Sequence, residues 1–347
     1  MARAGKGPSI RMVADAANVS VATVSNVING KASVAPAIST RVLAAVERLG
    51  YVRDHRAARL RSGESRLAGV IVPDLTNPMF AAFVSTLEHL ARCDGYDLVV
   101  VSARNDPAEE AERLRHIRGW RPAGLIVIPC DGALDARLPE GLDLPVVVAD
   151  RIPDVPRFDL VAVDNAAASA AIVRHLDVQG YRDCLVVGTS LGISNVLERW
   201  QGALSAAHGV RLDLLEVGFA DHAPPALAER LGGETRPDAL YCLDHETTLA
   251  AYQLLGELGL GAGRDIAFAS FDEMEWMRLV TPAVSAVRQP VEEMADCAWQ
   301  MLMRRLGGDA GPPQSRRLRC AVTFRGSTPR QPAPGREAEL TSTRTGG

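Results

Sequence analysis

The chain has 347 residues, 47% of them apolar and 23% charged, with a formal net charge of −4. That is enough apolar material for more than one domain around a large core. No basic start leads into an apolar segment and no uninterrupted apolar run approaches roughly twenty residues, so secretion and membrane insertion are not expected and a cytoplasmic protein is.

Charge is unevenly divided along the chain. Residues 1–66 carry 11 Lys and Arg against 4 Asp and Glu, whereas the remainder carries 27 against 38. A small basic head on an acidic body suits a phosphate-binding module whose body stays off nucleic acid. Cys93, Cys130, Cys184, Cys242, Cys297 and Cys320 are scattered, with no C-x-x-C pair, and read as reduced core residues.

Residues 1–8 read as a flexible arm. In Ile10-Arg11-Met12-Val13-Ala14-Asp15-Ala16-Ala17 the apolar positions 10, 13, 14 and 17 form a helical stripe. Asn18 suits a left-handed cap, and the Ser20 hydroxyl suits the opening of a second helix. On that second helix Val24, Val27 and Ile28 share an inward face, leaving Val21, Ala22, Ser25, Asn26 and Asn29 outward. Such a helix-turn-helix can read DNA: Val or Ala against a thymine methyl, Asn on adenine, and the hydroxyls of Ser20, Thr23 and Ser25 on phosphates. Taken alone, the pair is also an ordinary helical hairpin with a solvated polar face. Pro36 then opens a third helix running to Leu49, with Val42, Leu43, Val46 and Leu49 as its buried stripe. A basic stretch, His55 to Gly63, is too short to be helical in isolation.

From Leu67 the texture changes. Continuous apolar strands at 68–72, 97–101, 124–128 and 145–149, with helical stretches near 78–94 and 107–119, indicate a parallel sheet covered on both faces. A second set, at 160–163, 183–187, 214–217, 239–242 and 266–269, indicates a second Rossmann-like lobe. The fold class is therefore α/β, with an N-terminal helix-turn-helix head ahead of two lobes.

The run Val19-Ser20-Val21-Ala22-Thr23-Val24-Ser25-Asn26-Val27-Ile28-Asn29-Gly30 closely resembles the opening of the lac-repressor (LacI/GalR) family of transcription regulators. Gly50-Tyr51, Ile71 to Phe80, Asp150-Arg151, Val163-Asp164-Asn165, Phe271-Asp272 and Val287-Arg288-Gln289-Pro290 recur in the family's order and approximate spacing, so the resemblance covers residues 9–328. It implies a DNA-binding head at 9–54, a hinge helix and linker at 55–66, a two-lobed periplasmic-binding-protein-like effector and dimerisation domain at 67–328, and a disordered tail at 329–347. Crossovers between lobes are placed near 166, 291 and 322. The resemblance puts Leu60 where a leucine from each subunit of a homodimer wedges into the minor groove of a pseudo-palindromic operator. The chain departs from the family at Ala35, where a capping Ser is usual, at Arg53-Asp54, where Pro-Asn is frequent, and at Asn26, which is too short for an arginine's contact with guanine.

Ligands of parallel sheets sit beyond the carboxyl ends of strands, where Asp74, Asn77, Asp150, Arg151, Asp164, Asn165, Asp244 and Asp272 fall. Carboxylates with a forked arginine, Arg199, suit vicinal hydroxyls, and Phe80 or Phe219 can cover an apolar ring face. By resemblance, Asp150, Arg199, Phe219, Asp244, Asp272 and Gln289 fall at or next to effector-contacting positions. Asp164-Asn165 and Asp272 are equally suited to capping helices and fixing turns. Asp244-His245 stands where relatives carry Asn-Asp, which makes a sugar acid less attractive than a neutral or donor-rich ligand. His245 is either a pH-sensitive contact or a structural hydrogen bonder.

No phosphate loop, dinucleotide fingerprint, nucleophile elbow or metal-spaced His/Cys/Glu set is present, so neither catalysis, a cofactor nor a metal is expected. The expected function is an effector-controlled transcription regulator and repressor, with operator DNA and a sugar or related polar metabolite as partners. A free solute-binding protein would need an export signal and no DNA head. A regulator answering to a protein partner, as in one branch of the family, is the remaining alternative.

Overall fold

In the computed structural model, which describes residues 8–28, 34–51, 65–219, 225–233 and 235–329, the chain divides between Ser65 and Arg66 into two units. In the first, α1 (Ile10–Ala17) opens where the Ser9 hydroxyl accepts from the Met12 amide. It ends at Asn18, whose φ of 50° turns its amide back to the Ala14 carbonyl. Before α2 (Val21–Ile28), Ser20 Oγ accepts from the Thr23 amide at 3.1 Å. α3 (Pro36–Leu49) has no side-chain cap at Ala35; Pro36, lacking an N–H to satisfy, opens it instead.

Val13, Ala14, Ala17, Val24, Val42 and Ala45 form the centre of this unit. Leu43, expected in the buried stripe, is 55% exposed. From Val42 the inward face passes through Ala45 to Leu49, because steps of three and four residues keep a side chain on one face of a helix. Arg41 Nη2 donates to the Ala17 carbonyl at 3.1 Å and so ties α3 to the end of α1.

The second unit holds two lobes. The first begins with β1 (Leu67–Val72), α4 (Pro78–Cys93), β2 (Asp97–Ser102), α5 (Pro107–Ile117), β3 (Gly124–Val127), α6 (Leu134–Arg137), β4 (Val146–Ala149) and β5 (Asp159–Val163). The second contains α7 (Asn165–Val178), β6 (Asp183–Gly188), α8 (Ser194–Ser205), β7 (Arg211–Glu216), α9 (Pro225–Gly232), β8 (Ala239–Cys242), α10 (His245–Glu257), β9 (Ala267–Phe271) and β10 (Ser285–Arg288). The chain then returns through α11 (Val291–Leu306) and β11 (Ser315–Leu318) to the first lobe, and crosses once more to place β12 (Ala321–Thr323) in the second. The sheets run β11-β5-β4-β3-β1-β2 and β12-β10-β9-β8-β6-β7, parallel throughout except for β12 against β10.

Two readings of the sequence need correction here. Leu160 to Val163 do not begin the second lobe; as part of β5 they pair with β4 in the first sheet, and the crossover follows them. β11, Ser-Arg-Arg-Leu, had no apolar signature and was not expected as a strand; it is an exposed edge that needs none. Among the described residues no helix is long and apolar enough to cross a membrane.

Asp159 ties the far end of the first sheet to the returning helix. It accepts from Arg305 Nε at 2.6 Å, Arg304 Nη2 at 3.2 Å and the Gln314 amide at 2.7 Å. Burial pushes its carboxyl up, but the Arg305 and Gln314 hydrogen bonds and the charges of Arg305 and Arg304 outweigh that and hold it below the usual range. A depressed carboxyl stabilises the fold above its unfolded pKa of about 4 and loses that contribution as pH falls through the folded value. Asp159→Ala should therefore cost about 3 kcal/mol at neutral pH in urea unfolding, and the deficit should shrink in acid. A deficit that is constant with pH would mean that packing, not charge, is lost.

Candidate functional site

On α2 the outward residues are those expected. Val21 and Ala22 are exposed, and Thr23, Ser25 and Asn26 are half-exposed on the face opposite the buried Val24. Ser20 and Thr23 are joined hydroxyl to hydroxyl at 2.9 Å, so Ser20 serves as the helix cap while keeping its own position at the surface. Small side chains here leave the backbone able to approach a groove closely. Asn29 and Leu60 lie outside the described residues, as do the arm 1–7, most of the hinge and the tail from 330.

In the second unit, the carboxyl ends of strands from both lobes converge on a cavity of about 40 Å³. From the first lobe come Asn77, Phe80, Asn105, Asp150 and Arg151; from the second, Thr189, Asn195, Arg199, Phe219, Asp244, His245 and Asp272. Asp150 follows β4 and Asp272 follows β9, each at a left-handed φ, 63° and 77°. Neither is a glycine, and such backbone strain in a buried carboxylate is characteristic of binding sites.

Arg199 lies at the centre, 1% exposed. Its Nε donates to Asn165 Oδ1 at 2.9 Å and its Nη1 to the Leu243 carbonyl at 2.7 Å, with Nη1 3.6 Å from Asp272 Oδ2 and the guanidinium 3.7 Å from the centre of the Phe271 ring. Its Nη2 has no partner. Gln289 Nε2 donates to Asp272 Oδ1, so Gln289 stands behind the wall and orients that carboxylate. Arg151 Nη1 donates to the carbonyls of Pro129 and Cys130 at 3.1 and 2.8 Å, and its guanidinium faces the Phe80 ring at 5.8 Å. Burial lowers the pKa of Arg151. Burial also raises that of Asp150, and the charges of Arg199 and Arg151 only partly reverse it.

Side-chain atoms that are buried and unpartnered collect here. Asp150 Oδ1, Arg151 Nε, Asn195 Oδ1, Arg199 Nη2 and His245 Nδ1 belong to residues of the cavity wall, with Gln289 Oε1 just behind it. Unsatisfied buried groups cost about 1–3 kcal/mol each, so their concentration in one place makes this cleft the candidate ligand site. A larger recess of about 610 Å³ lies at the opposite ends of β4 and β5. Its Asp159 and Arg305 are bonded to one another, so size alone does not make it the site.

Of the seven effector residues read from the sequence, six line the cavity: Phe80, Asp150, Arg199, Phe219, Asp244 and Asp272. Phe219 is 45% exposed, at the mouth. Asp244 is chiefly architectural: its oxygens accept from the Thr247 amide at 2.9 Å and the Thr189 amide at 2.8 Å, capping α10 and fixing the end of β6. Asp164 likewise caps α7, accepting from the Ala167 amide at 3.0 Å. Asn165, its neighbour, is buried and holds Arg199. Thr189, Asn105 and Asn195 were missed. For Asn195 a signal existed, since it precedes Arg199 by four residues and so shares its helix face.

Comparison with known proteins bears on both units. Residues 9–54 match the family described as bacterial regulatory proteins, lacI family, and residues 173–328 match a periplasmic binding protein-like domain. Over 326 residues, 92% of this chain and 96% of its relative, the chain is 34% identical to the HTH-type transcriptional regulator PtxS of Pseudomonas putida. Among solved structures, the lac repressor dimer bound to operator and the anti-inducer ONPF superposes with a TM-score of 0.80 at 21% identity, over 93% of this chain and 99% of that one. A complex of the transcriptional regulator CelR with cellobiose gives 0.69 at 24% identity, over 92% and 99%.

Proposed function

This chain belongs to the lacI family of bacterial regulatory proteins, and from that premise we propose a homodimeric repressor of a pseudo-palindromic operator, controlled by a neutral sugar or related polyol held between the two lobes. Transcriptional regulation is the family's work; the finer assignments are ours. Val21, Ala22, Ser25, Asn26 and Asn29 face base edges while Ser20 and Thr23 stand at the phosphates, one head per half-site. Residues 9–54 act as the head, 55–66 as a hinge that carries the Leu60 wedge, 67–328 as the effector domain and 329–347 as a tail. The protein works on DNA in the cytoplasm and catalyses nothing.

The observation that carries the ligand class is the set of unpartnered atoms in the cleft. Arg199 Nη2 and Arg151 Nε only donate; Asp150 Oδ1 and Asn195 Oδ1 accept. A hydroxyl does both, so a run of vicinal hydroxyls satisfies donors and acceptors together where a carboxylate, which only accepts, would face Asp150 and Asp272. Cellobiose is the ligand of the structural neighbour CelR, in keeping with this class.

Fluorescence anisotropy on a duplex selected from a random library, against its scrambled counterpart, tests both halves. Specific binding should fall steeply with salt, and one of ribose, glucose or cellobiose should shift it at least about tenfold, with glucuronate inert. No preference for the selected duplex sinks the DNA assignment; a shift by glucuronate alone sinks the neutral-ligand assignment.

A further inference from the structure

The body is acidic as a whole, but one edge of its first lobe is not. From Arg113 to Arg121 the chain carries four arginines and a histidine without a single carboxylate. α5 ends at Ile117, a single tighter turn covers Arg118–Trp120, and the chain then enters β3 at Gly124. The Ala123 amide donates to the Leu67 carbonyl at 2.7 Å and Ala68 stands opposite Gly124, so this turn lies beside the start of β1. Of the two ends of the first sheet, that is the one to which the head is tethered through residues 52–64.

Part of the charge has a local explanation. Arg113 pairs with Glu109, and His116 Nε2 lies 3.8 Å from Glu112, each one turn back along α5. Cations at the carboxyl end of a helix also answer its dipole, which suits Arg115. Arg118 and Arg121 are left over. Both are exposed, neither pairs with a carboxylate among the described residues, and Arg118 reaches only the Glu140 backbone carbonyl, at 3.5 Å. Arg121 is held at a left-handed φ of 49°, where a glycine would be unstrained. A Cβ at Gly119 would meet nothing within 4 Å, so the turn projects into solvent. Trp120, 54% exposed, is the exposed one of the four tryptophans. No residue of the turn is buried, so packing in the core does not account for an arginine, a tryptophan and a second arginine here.

We propose that this turn is a second DNA-binding surface, with Arg115, Arg118 and Arg121 set against phosphates of the duplex that the head holds and Trp120 against the adjoining sugars. Arginine meets phosphate through its forked donors, and the indole N–H donates as well. Phosphates are alike at every base pair, so the contact adds affinity and keeps the body close to the duplex without reading sequence. The surface rests on the DNA assignment made above, and its test separates the two.

Salt titrations of anisotropy, on the selected duplex and on its scrambled counterpart, read the contact. The variant is Arg118→Gln with Arg121→Asn, since asparagine tolerates the left-handed backbone; melting curves establish that it is folded. Both duplexes should lose affinity by the same factor, about tenfold at about 0.1 M salt. The slope of log affinity against log salt should flatten by about one for each phosphate contact removed. Arg118→Lys with Arg121→Lys keeps both charges and should restore most of the slope. Arg211→Gln with Arg230→Gln, equally discharged but on β7 and α9 of the second lobe, should behave as the wild type. Trp120 reports the place of contact: the selected duplex should shield tryptophan emission from acrylamide, and Trp120→Phe should abolish the shielding.

An unchanged slope in the first variant overturns the surface, whether the turn then serves an acidic protein or nothing. So does an equal loss in the second-lobe control, which would reduce the effect to net charge, or an absence of shielding. A loss confined to the selected duplex overturns the phosphate role. If the wild type shows no preference for the selected duplex, the operator assignment fails by itself, and the slope on either duplex still decides the surface.

Discussion

Arg199→Ala is expected to abolish control by the effector, lowering its affinity by about 100-fold or more while specific operator binding survives. The side chain has three committed roles and one vacancy. Nε fixes Asn165, Nη1 closes the end of β8 at the Leu243 carbonyl and stands beside Asp272, and Nη2 is free. Truncation therefore removes a charge-assisted bond to the ligand, worth about 1.5–3 kcal/mol, and also leaves Asp150 and Asp272 without the cation between them. Arg199→Lys discriminates between charge and geometry. A lysine keeps the charge but has no fork, so it should recover stability more than affinity. Operator anisotropy with and without the responding sugar measures this, and an effect of normal size in the alanine variant would show that the ligand binds elsewhere.

Gly202→Val is expected to collapse the second lobe. Gly202 lies on α8 where it crosses α7, and a Cβ there would sit 2.2 Å from the Ala166 carbonyl oxygen and 2.5 Å from its Cα. Those are backbone atoms of a neighbouring helix and cannot swing aside. Separating the helices would pull Ala203 and Val196 from the core they share with Ala168 and Ile172. Overpacking of this kind costs about 1–3 kcal/mol and more where backbone must move. Against that, the glycine itself costs only about 1 kcal/mol in helix propensity, which explains its place in mid-helix. Denaturant unfolding followed by circular dichroism should show a lower midpoint for Gly202→Ala and little folded protein for Gly202→Val. An alanine variant as stable as the wild type would mean that the helices can part.

Most of the architecture was legible because strands buried on both faces are apolar without interruption, as at Val70-Ile71-Val72 and Val146-Val147-Val148. The same property hid which sheet a strand belongs to, and Leu160 to Val163 went to the wrong lobe for that reason. β11 was invisible because an edge strand is held by backbone bonds and its side chains face water. In the head, Leu43 was read into the buried stripe of α3, but it is exposed and Ala45 faces the centre. The cleft was legible through its charged residues, Asp150 and Asp272 at the ends of β4 and β9 and Arg199 among the apolar residues of α8. Amides carry no such signal: Asn195 and Asn165 are defined by what they bond, which only the folded chain reveals.

The narrowness of the cleft bears on how fast this protein can respond. A cavity of about 40 Å³ has room for about one water molecule. If the effector is a hexose held at Arg199, as proposed, it cannot reach that residue until the walls separate, and raising its concentration does not make them separate sooner. Arrival then becomes gated: at low concentration the binding rate follows the supply of sugar, and at high concentration it levels off at the frequency with which the lobes part. The delay between the appearance of a nutrient and a change at the promoter would be a property of the protein, fixed by the bonds that hold its two halves together.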